Sequence, residues 1–371
     1  MIYFDSAATT FQKPREVLRA VETAMRTCSS PGRGGYREAV RADGAVYECR
    51  EAAAELFGAK PEQVVFTMNA THALNLAVKS LVRPGGRAVV SGFEHNAVMR
   101  PLRRLGARVE IAGRKLFDPA DTLASFAEAV TPDTQAVICT QVSNVFGYRL
   151  PLEQIAVLCR LRGVPLIVDA SQGAGVLPLS LRSLGAAFIG MPGHKGLYGP
   201  QGTGILLCGR TPESLLEGGT GSLSRSYDMP PFLPDAAEAG THNVPGICGL
   251  AAGLRFVMRR GPDQILAHEK AVLDVLRREL REIDGVRLFE ADGGLETGVL
   301  SFTAEKDCEE TAAALARRGA AVRAGLHCAP AAHESAGTLE SGTVRVSLSA
   351  FSTEREARRF AALLRDVLRE P

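Results

Sequence analysis

Five short apolar runs mark the first half of the chain, at 64–67, 88–91, 136–140, 166–169 and 187–190. Each is bounded by turn residues and is too short for a helix, so each reads as a strand. Before and between them the pattern takes a helical period, over 16–27, over 39–57, and from about 70 to the Val82-Arg83-Pro84-Gly85 breaker. The same period returns over 96–105 and 152–162. Asp5 to Thr10, with Pro14 beyond, reads as an extended opening arm, and 29–35 as a breaker-rich loop. Short strands spaced by helices predict an α/β architecture, a mostly parallel sheet covered on both faces. Ligands of such sheets sit beyond the carboxyl ends of the strands. Thr71, His95, Asn144, Asp169 and Lys195 all fall there.

The last third changes character. A long helical stretch, about 249–260 and then 265–283, leads to short strands at 286–289 and 299–302. A helix at 308–318, a loop holding His327-Cys328, a strand at 344–348 and an amphipathic helix from Glu354 follow. This predicts a smaller α+β unit, joined by the N-terminal arm. No internal repeat interrupts the pattern.

Composition narrows the partners. The chain has 371 residues, 46% of them hydrophobic and 23% charged, which suits a globular protein with more than one core. A net charge of +2 gives no reason to expect nucleic acid or an anionic membrane as a partner. No apolar stretch approaches spanning length, and the N-terminus lacks a signal-peptide pattern. The eight cysteines are scattered without CxxC pairing, so neither a metal site nor a disulfide framework is expected. A reducing, cytoplasmic setting is the expectation.

Gly193-His194-Lys195-Gly196 ends the fifth strand. A lysine that must lose its proton and condense with an aldehyde needs close approach, partial burial and a neighbouring imidazole. Lysines are few (Lys13, Lys60, Lys79, Lys115, Lys195, Lys270, Lys306), which narrows that assignment. An exposed loop lysine is the plainer reading of the tripeptide alone. Asp169 closes the fourth strand and suits a pyridinium nitrogen, whose protonation makes the ring an electron sink; it also suits a turn cap. Gln172 could reach such a ring's phenolic oxygen. Asn69-Ala70-Thr71, at a strand-to-helix turn, offers free amides and a hydroxyl to a phosphate, or simply an N-cap. His95 could stack on a planar cofactor and shuttle protons, or cap the next helix. Cys328 sits in a Gly/Pro-bounded loop beside His327, a context for a reactive thiolate. Arg345, on an otherwise apolar strand, suits a substrate carboxylate or an ion pair. The remaining cysteines fall mostly in apolar patterns and read as packing.

In order, Asp5-Ser6-Ala7-Ala8-Thr9, Ala70-Thr71, Glu94-His95, Ser143-Asn144-Val145-Phe146-Gly147, Asp169-Ala170-Ser171-Gln172, Gly193-His194-Lys195 and Arg323-Ala324-Gly325-Leu326-His327-Cys328-Ala329 resemble the class V aminotransferase family. Within it the pattern is most similar to cysteine desulfurases and selenocysteine lyases. The resemblance implies a pyridoxal 5'-phosphate-dependent transferase of fold type I, with a large domain holding a mostly parallel seven-stranded sheet and a small α+β C-terminal domain. It implies a large cofactor-binding domain at 16–250 and a small domain built from 1–15 and 251–371. It also implies a homodimer with active sites at the subunit interface.

Carried onto these positions, the resemblance makes Lys195 the imine-forming lysine, Asp169 the pyridine-nitrogen partner, Gln172 the phenolic-oxygen partner and His95 the stacking residue. Ala70, Thr71 and His194 become cofactor contacts at the phosphate. Thr241 becomes a phosphate contact for the neighbouring subunit. Asn144 and Arg345 hold the substrate carboxylate, and Cys328 accepts the sulfur. The implied reaction takes L-cysteine to L-alanine, Lys195 removing the α-proton, Cys328 collecting a persulfide and His95 moving protons among the thiols. L-selenocysteine is the alternative substrate, with an acceptor protein for sulfur or selenium. A plain aminotransferase or a kynureninase-like lyase is the alternative chemistry. Two departures stand out. Pro192 replaces a common serine, removing a hydroxyl and an amide from the phosphate end. Gly196 lengthens the segment after the lysine by one residue, which resembles a less characterised, desulfurase-like subgroup.

Overall fold

The computed structural model describes residues 1–32, 34–291 and 294–370; Arg33, inside the breaker-rich loop, lies outside them. The opening residues form β1 (Ile2–Tyr3), and two helices follow, α1 (Arg15–Thr27) and α2 (Arg37–Leu56). Next come β2 (Val64–Thr67), α3 (Ala70–Leu81), β3 (Arg87–Ser91), α4 (Asn96–Arg104), β4 (Arg108–Ala112) and α5 (Pro119–Ala129). Then follow β5 (Thr134–Thr140), α6 (Leu152–Arg162), β6 (Leu166–Asp169), α7 (Leu181–Leu184), β7 (Phe188–Pro192) and β8 (Gly204–Cys208). One sheet takes seven strands in the order β2-β8-β7-β6-β5-β3-β4. Only β8 runs antiparallel to its neighbours. The expected mostly parallel, seven-stranded α/β sheet is therefore present.

The strand runs are apolar throughout because both faces are covered. Val64, Val89, Val137, Val168, Ile189 and Leu207 face one core, with Cys49, Ala53 and Ile155 from α2 and α6 and Leu250 from a later helix. Their alternating neighbours Val65, Val90, Ile138, Ile167, Phe188 and Leu206 face the other, with Leu74, Val78, Val98 and Leu102 from α3 and α4. Four elements of the large-sheet region lie outside the patterned runs: β4, α5, the four-residue α7 and β8. β4 alternates exposed and partly buried positions, as an edge strand does. The adjoining α5 is short and opens on Asp118 and Pro119. β8 follows the glycine-rich turn after Lys195, where its short Gly204–Cys208 run has no helix to separate it from β7.

The remaining chain begins with α8 (Val244–Arg260) and α9 (Pro262–Arg281). The long helix expected there is two, broken at Gly261 with φ 82° and Pro262. Then come β9 (Arg287–Phe289), β10 (Val299–Thr303), α10 (Cys308–Arg317), β11 (Ala320–Ala321), β12 (Arg323–Gly325), α11 (Pro330–Ala336), β13 (Thr343–Ser347) and α12 (Glu354–Arg369). A second, antiparallel sheet orders its strands β12-β13-β10-β9. Ile2 and Phe4 are buried in that sheet's core beside Leu276, Phe302, Val346 and Phe360. β1 pairs with β11, and Ser347 N donates to the Phe4 carbonyl at 2.8 Å.

One buried ion pair ties the segment after β8 to the large sheet. Glu238 receives Arg50 Nη1 at 2.7 Å, a second bond from Arg50 Nη2, and the Phe66 amide. His242 Nε2 lies 3.0 Å away. Both charged side chains are buried, so removing one strands the other. Glu238→Ala should therefore lower the unfolding free energy by about 3–5 kcal/mol in urea denaturation. Replacing both partners by methionine should recover most of that loss; equal loss in the single and double variants would contradict the ion-pair account.

Candidate active site

The C-terminal ends of five strands converge on one cavity of ≈ 210 Å³. Ala70 and Thr71 follow β2, His95 follows β3, Asn144 follows β5, Asp169 ends β6, and His194 and Lys195 follow β7; all line it. Gln172, Ala7 and Ala8 complete that wall, and Arg323, His327 and Arg345 arrive from the second sheet. Cys328 and Thr241 do not line it. Cys328 stands exposed beside the cavity, and Thr241 lines two grooves elsewhere with Glu238 and His242.

Lys195 Nζ has no hydrogen-bond partner among the described residues. Its pKa is pushed down to about 8, first by burial, while Asp169 opposes and Arg345 and Arg323 add to the shift. Asp169 is 3% exposed, and its Oδ1 accepts the Ser171 amide at 2.9 Å. It caps its turn and lines the cavity at once. His95 does likewise: Nδ1 accepts the Ala97 amide at 3.0 Å, capping α4. In the neutral ring the proton then resides on Nε2. Burial is the main cause that lowers the His95 pKa to about 4, so the ring is neutral near pH 7. Burial, with Lys195 and Lys13, lowers His194 to about 4 as well.

The arm grips the lysine's turn. The His194 carbonyl draws four donors, Thr9 Oγ1 at 3.2 Å, Thr10 N and Oγ1 at 3.0 Å each, and Lys13 Nζ at 3.1 Å. Those contacts fix the peptide that carries Lys195. Gln172 Nε2 donates to the Ala7 carbonyl at 3.1 Å, closing the arm over the cavity.

Arg323 and Arg345 are directly opposed across β12 and β13. Arg345 is 1% exposed; Nη2 pairs with Asp5 Oδ1 at 2.8 Å and Nη1 donates to the Asn144 carbonyl at 3.0 Å. Its Nε and Asn144 Oδ1 are buried without partners. Asn144 Nδ2 donates to the His327 carbonyl at 2.9 Å, and the Asn96 amide to the Cys328 carbonyl at 2.8 Å. His327 and Cys328 both adopt left-handed backbone, with φ 49° and 57°. Arg323 Nη2 lies 3.6 Å from Cys328 Sγ.

Residues 2–360 match the family model for aminotransferase class-V. A probable cysteine desulfurase of Xylella fastidiosa is 34% identical, over 98% of this chain and 90% of that protein. One from Methanothermobacter thermautotrophicus is 32% identical, over 99% and 94%. The apo cysteine desulfurase of Thermococcus onnurineus NA1 superposes with a TM-score of 0.90 at 29% identity, covering 99% of this chain and 94% of that one. The chain belongs to the class V aminotransferase family. That family is pyridoxal-phosphate-dependent, and the fold-type-I architecture is the one expected from the sequence.

For a class V aminotransferase, the donor set fits the family's cofactor. The cavity offers a desolvated amine without a hydrogen bond, a buried carboxylate, and the first amides of α3, which lack intrahelical acceptors. Asn69 Oδ1 caps that helix at His72 N, 2.9 Å away, leaving Ala70 and Thr71 to face the cavity. Pro192 lies buried on β7 opposite Gly204, lining the cavity without a donor. Two groups carried no role in the sequence reading. Arg323 is one; only the pairing of its strand with β13 exposes it. Glu94 is the other: it accepts from the Thr140 amide at 2.7 Å and from Ser91 Oγ, and burial pushes its carboxyl up to about 8.

The depressed pKa of Lys195 fixes a pH dependence. Only the neutral amine attacks an aldehyde, so trapping of an added aromatic aldehyde on Lys195 of cofactor-stripped protein, by borohydride, should rise through about pH 8. An exposed lysine should need about two units more. Peptide mass spectrometry across a pH series separates the sites; a rise only near pH 10 would mean that Lys195 stays fully charged.

Proposed function

We propose that this chain is a pyridoxal-phosphate-dependent cysteine desulfurase, taking L-cysteine to L-alanine and leaving a persulfide on Cys328. The observation that carries the reading is the buried Lys195 amine, sharing one cavity with the Asp169 carboxylate and the Arg345 guanidinium. Lys195 would hold the cofactor, with Asp169 at the ring nitrogen, Gln172 at the phenolic oxygen and His95 on the ring face. Ala70, Thr71 and His194 would hold the phosphate. When bound, the cofactor supplies an electron sink for charge developed at the substrate's α-carbon.

The protein's part is binding and proton handling. Arg345 has an unpartnered Nε, and Asn144 Nδ2, one hydrogen of which goes to the His327 carbonyl, keeps a second to donate, a pair suited to the substrate carboxylate; Asp5 keeps the guanidinium oriented. Lys195, with its pKa near 8, is suited to take the α-proton and to hand a proton back later in the reaction. Neutral His95 presents a protonated Nε2 from its capped ring, a proton carrier near the substrate thiol. Cys328 Sγ attacks the substrate sulfur; the sulfur–carbon bond breaks and its electrons return to the β-carbon. The exposed Cys328 then offers the sulfur to an acceptor protein.

The working unit we propose is a homodimer. Thr241 does not line its own cavity, which fits the role the family resemblance gives its hydroxyl, at the phosphate of the second copy. Exposed Tyr47, Met68 and Leu216 supply apolar surface in the two grooves that Thr241 also lines. We assign 16–250 to the cofactor-binding domain, and 1–15 with 251–371 to the smaller one.

The test compares wild type, Lys195→Ala and Cys328→Ser for alanine and sulfide release from L-cysteine. Lys195→Ala should lose at least about 10³-fold in alanine release. Cys328→Ser should keep the cofactor's absorbance and its change on adding L-cysteine, yet form no persulfide. Full sulfide release by Cys328→Ser would refute the role of that thiol, and an unchanged rate in Lys195→Ala would refute the reading.

A further inference from the structure

The proposed chemistry leaves one deeply buried acid unused. Glu269, on α9, is 5% exposed, and its carboxyl group makes no hydrogen bond and no ion pair among the described residues. It lines a small cavity of ≈ 30 Å³ that meets the arm at Ser6 and Thr10, the Lys195 turn, and the second sheet at Thr297 and Ser347. The carboxyl group packs against backbone on one side: a Cβ on Gly298 would meet Glu269 Oε2 at 2.6 Å, so glycine there leaves the acid its place.

The hydroxyls of this wall have committed their protons elsewhere. Thr297 Oγ1 donates to the Gly147 carbonyl at 3.4 Å, Ser347 Oγ to the Phe4 carbonyl at 3.3 Å, and Thr10 Oγ1 to the His194 carbonyl at 3.0 Å. Lys13 Nζ already engages Thr10 Oγ1 at 2.6 Å. Ser6 and Tyr198 bring two further hydroxyls, neither of them bonded to the acid. A carboxyl group so placed is unsatisfied in either form. Ionised it lacks a counter-charge, and protonated it lacks an acceptor. Burial pushes its pKa up to about 8, and Arg260, which opposes the shift, forms no ion pair with it. Both needs are met by a particle seated in the cavity, between the carboxylate and the hydroxyl lone pairs.

We propose that this cavity is a monovalent-cation site, in which potassium or an ion of similar size bridges Glu269 to the hydroxyl oxygens of Ser6, Thr297 and Ser347. The space admits one small guest and no hydration shell. That disfavours magnesium, which keeps its waters, and calcium, which takes about six to eight oxygens. One carboxylate balances one positive charge. The bound ion would join α9 to the arm and to the second sheet, beside the turn that carries Lys195. The site does not depend on which reaction the enzyme performs.

The experiment uses the full-length, cofactor-loaded protein, wild type and Glu269→Gln, dialysed into tetramethylammonium chloride. Potassium chloride then replaces that salt at constant ionic strength while thermal unfolding is followed. Wild type should melt about 2 °C or more higher in potassium, because the ion binds only the folded chain. Glu269→Gln, which carries no charge to balance, should not respond. Crystals of the wild type grown in rubidium chloride should show an anomalous peak between the Glu269 carboxylate and the Thr297 hydroxyl. That measurement needs no variant, so it holds even where Glu269→Gln fails to fold. Equal melting of wild type in the two salts, an equal potassium response in Glu269→Gln, or a water without rubidium signal in the cavity would each overturn the proposal.

Discussion

Keeping one ammonium group out of water is the constraint to which the cavity answers. A buried lysine sheds its proton unless a counter-charge holds it. Asp169 supplies that counter-charge, and Arg323 and Arg345 work against it, leaving Lys195 near the point where either form is accessible. The same two guanidiniums help hold His95 neutral, although burial does most of it. Charged side chains from two sheets thus act together on the protonation of Lys195 and His95.

The arm makes this joint action mechanical as well as electrostatic. Residues 2–7 are tied to the second sheet: Ile2 and Phe4 are buried in its core, Ser6 and Ala7 bond to Ser347 of β13, and β1 pairs with the nearby β11. Thr9, Thr10 and Lys13 belong to the Lys195 turn through the His194 carbonyl. Between them Asp5 grips Arg345. The arm expected to be extended instead turns over Ser6–Ala8, where the Ala8 and Thr9 amides donate to the Asp5 carbonyl, and this short turn links the second sheet to the peptide bearing the lysine. Lys13 gives up hydration for this contact, and burial lowers its pKa to about 8.

How much of this was legible in the sequence follows from what each feature depends on. The central strands were legible because burial on two faces leaves continuous apolar runs, and the strand ends then place Thr71, His95, Asn144, Asp169 and Lys195 side by side. β4 was not, because an edge strand with one wet side mixes Arg108 and Glu110 among its apolar residues. Asp169 and His95 looked like either caps or ligands, and the two readings proved compatible: each uses one atom on its own turn and still lines the cavity. Arg345 looked like a ligand or a surface pair, and its pair with Asp5 is buried. Arg323 and the arm's clamp depend on pairings between segments distant in sequence, and no local pattern records those.

The Cys328 loop shows how such non-local contacts decide a chemical detail. Two consecutive left-handed, non-glycine residues cost roughly 1–3 kcal/mol each, so the loop must be held from within. Ser301 Oγ donates to the Val145 carbonyl at 2.6 Å, and Thr343 Oγ1 donates to Ser301 at 3.3 Å. With its proton so committed, Thr343 can only accept at its 3.1 Å contact with His327 Nε2. His327 is therefore the Nε2–H tautomer, and its unpartnered Nδ1 is a bare lone pair. Burial and the nearby Arg345 push its pKa far down, so the ring stays neutral beside the guanidiniums. His333 packs against it, ring centroids 5.7 Å apart. A hydroxyl chain ending on the Val145 carbonyl thus fixes one imidazole, beside the backbone that holds the exposed thiol of Cys328 at the rim of the cavity.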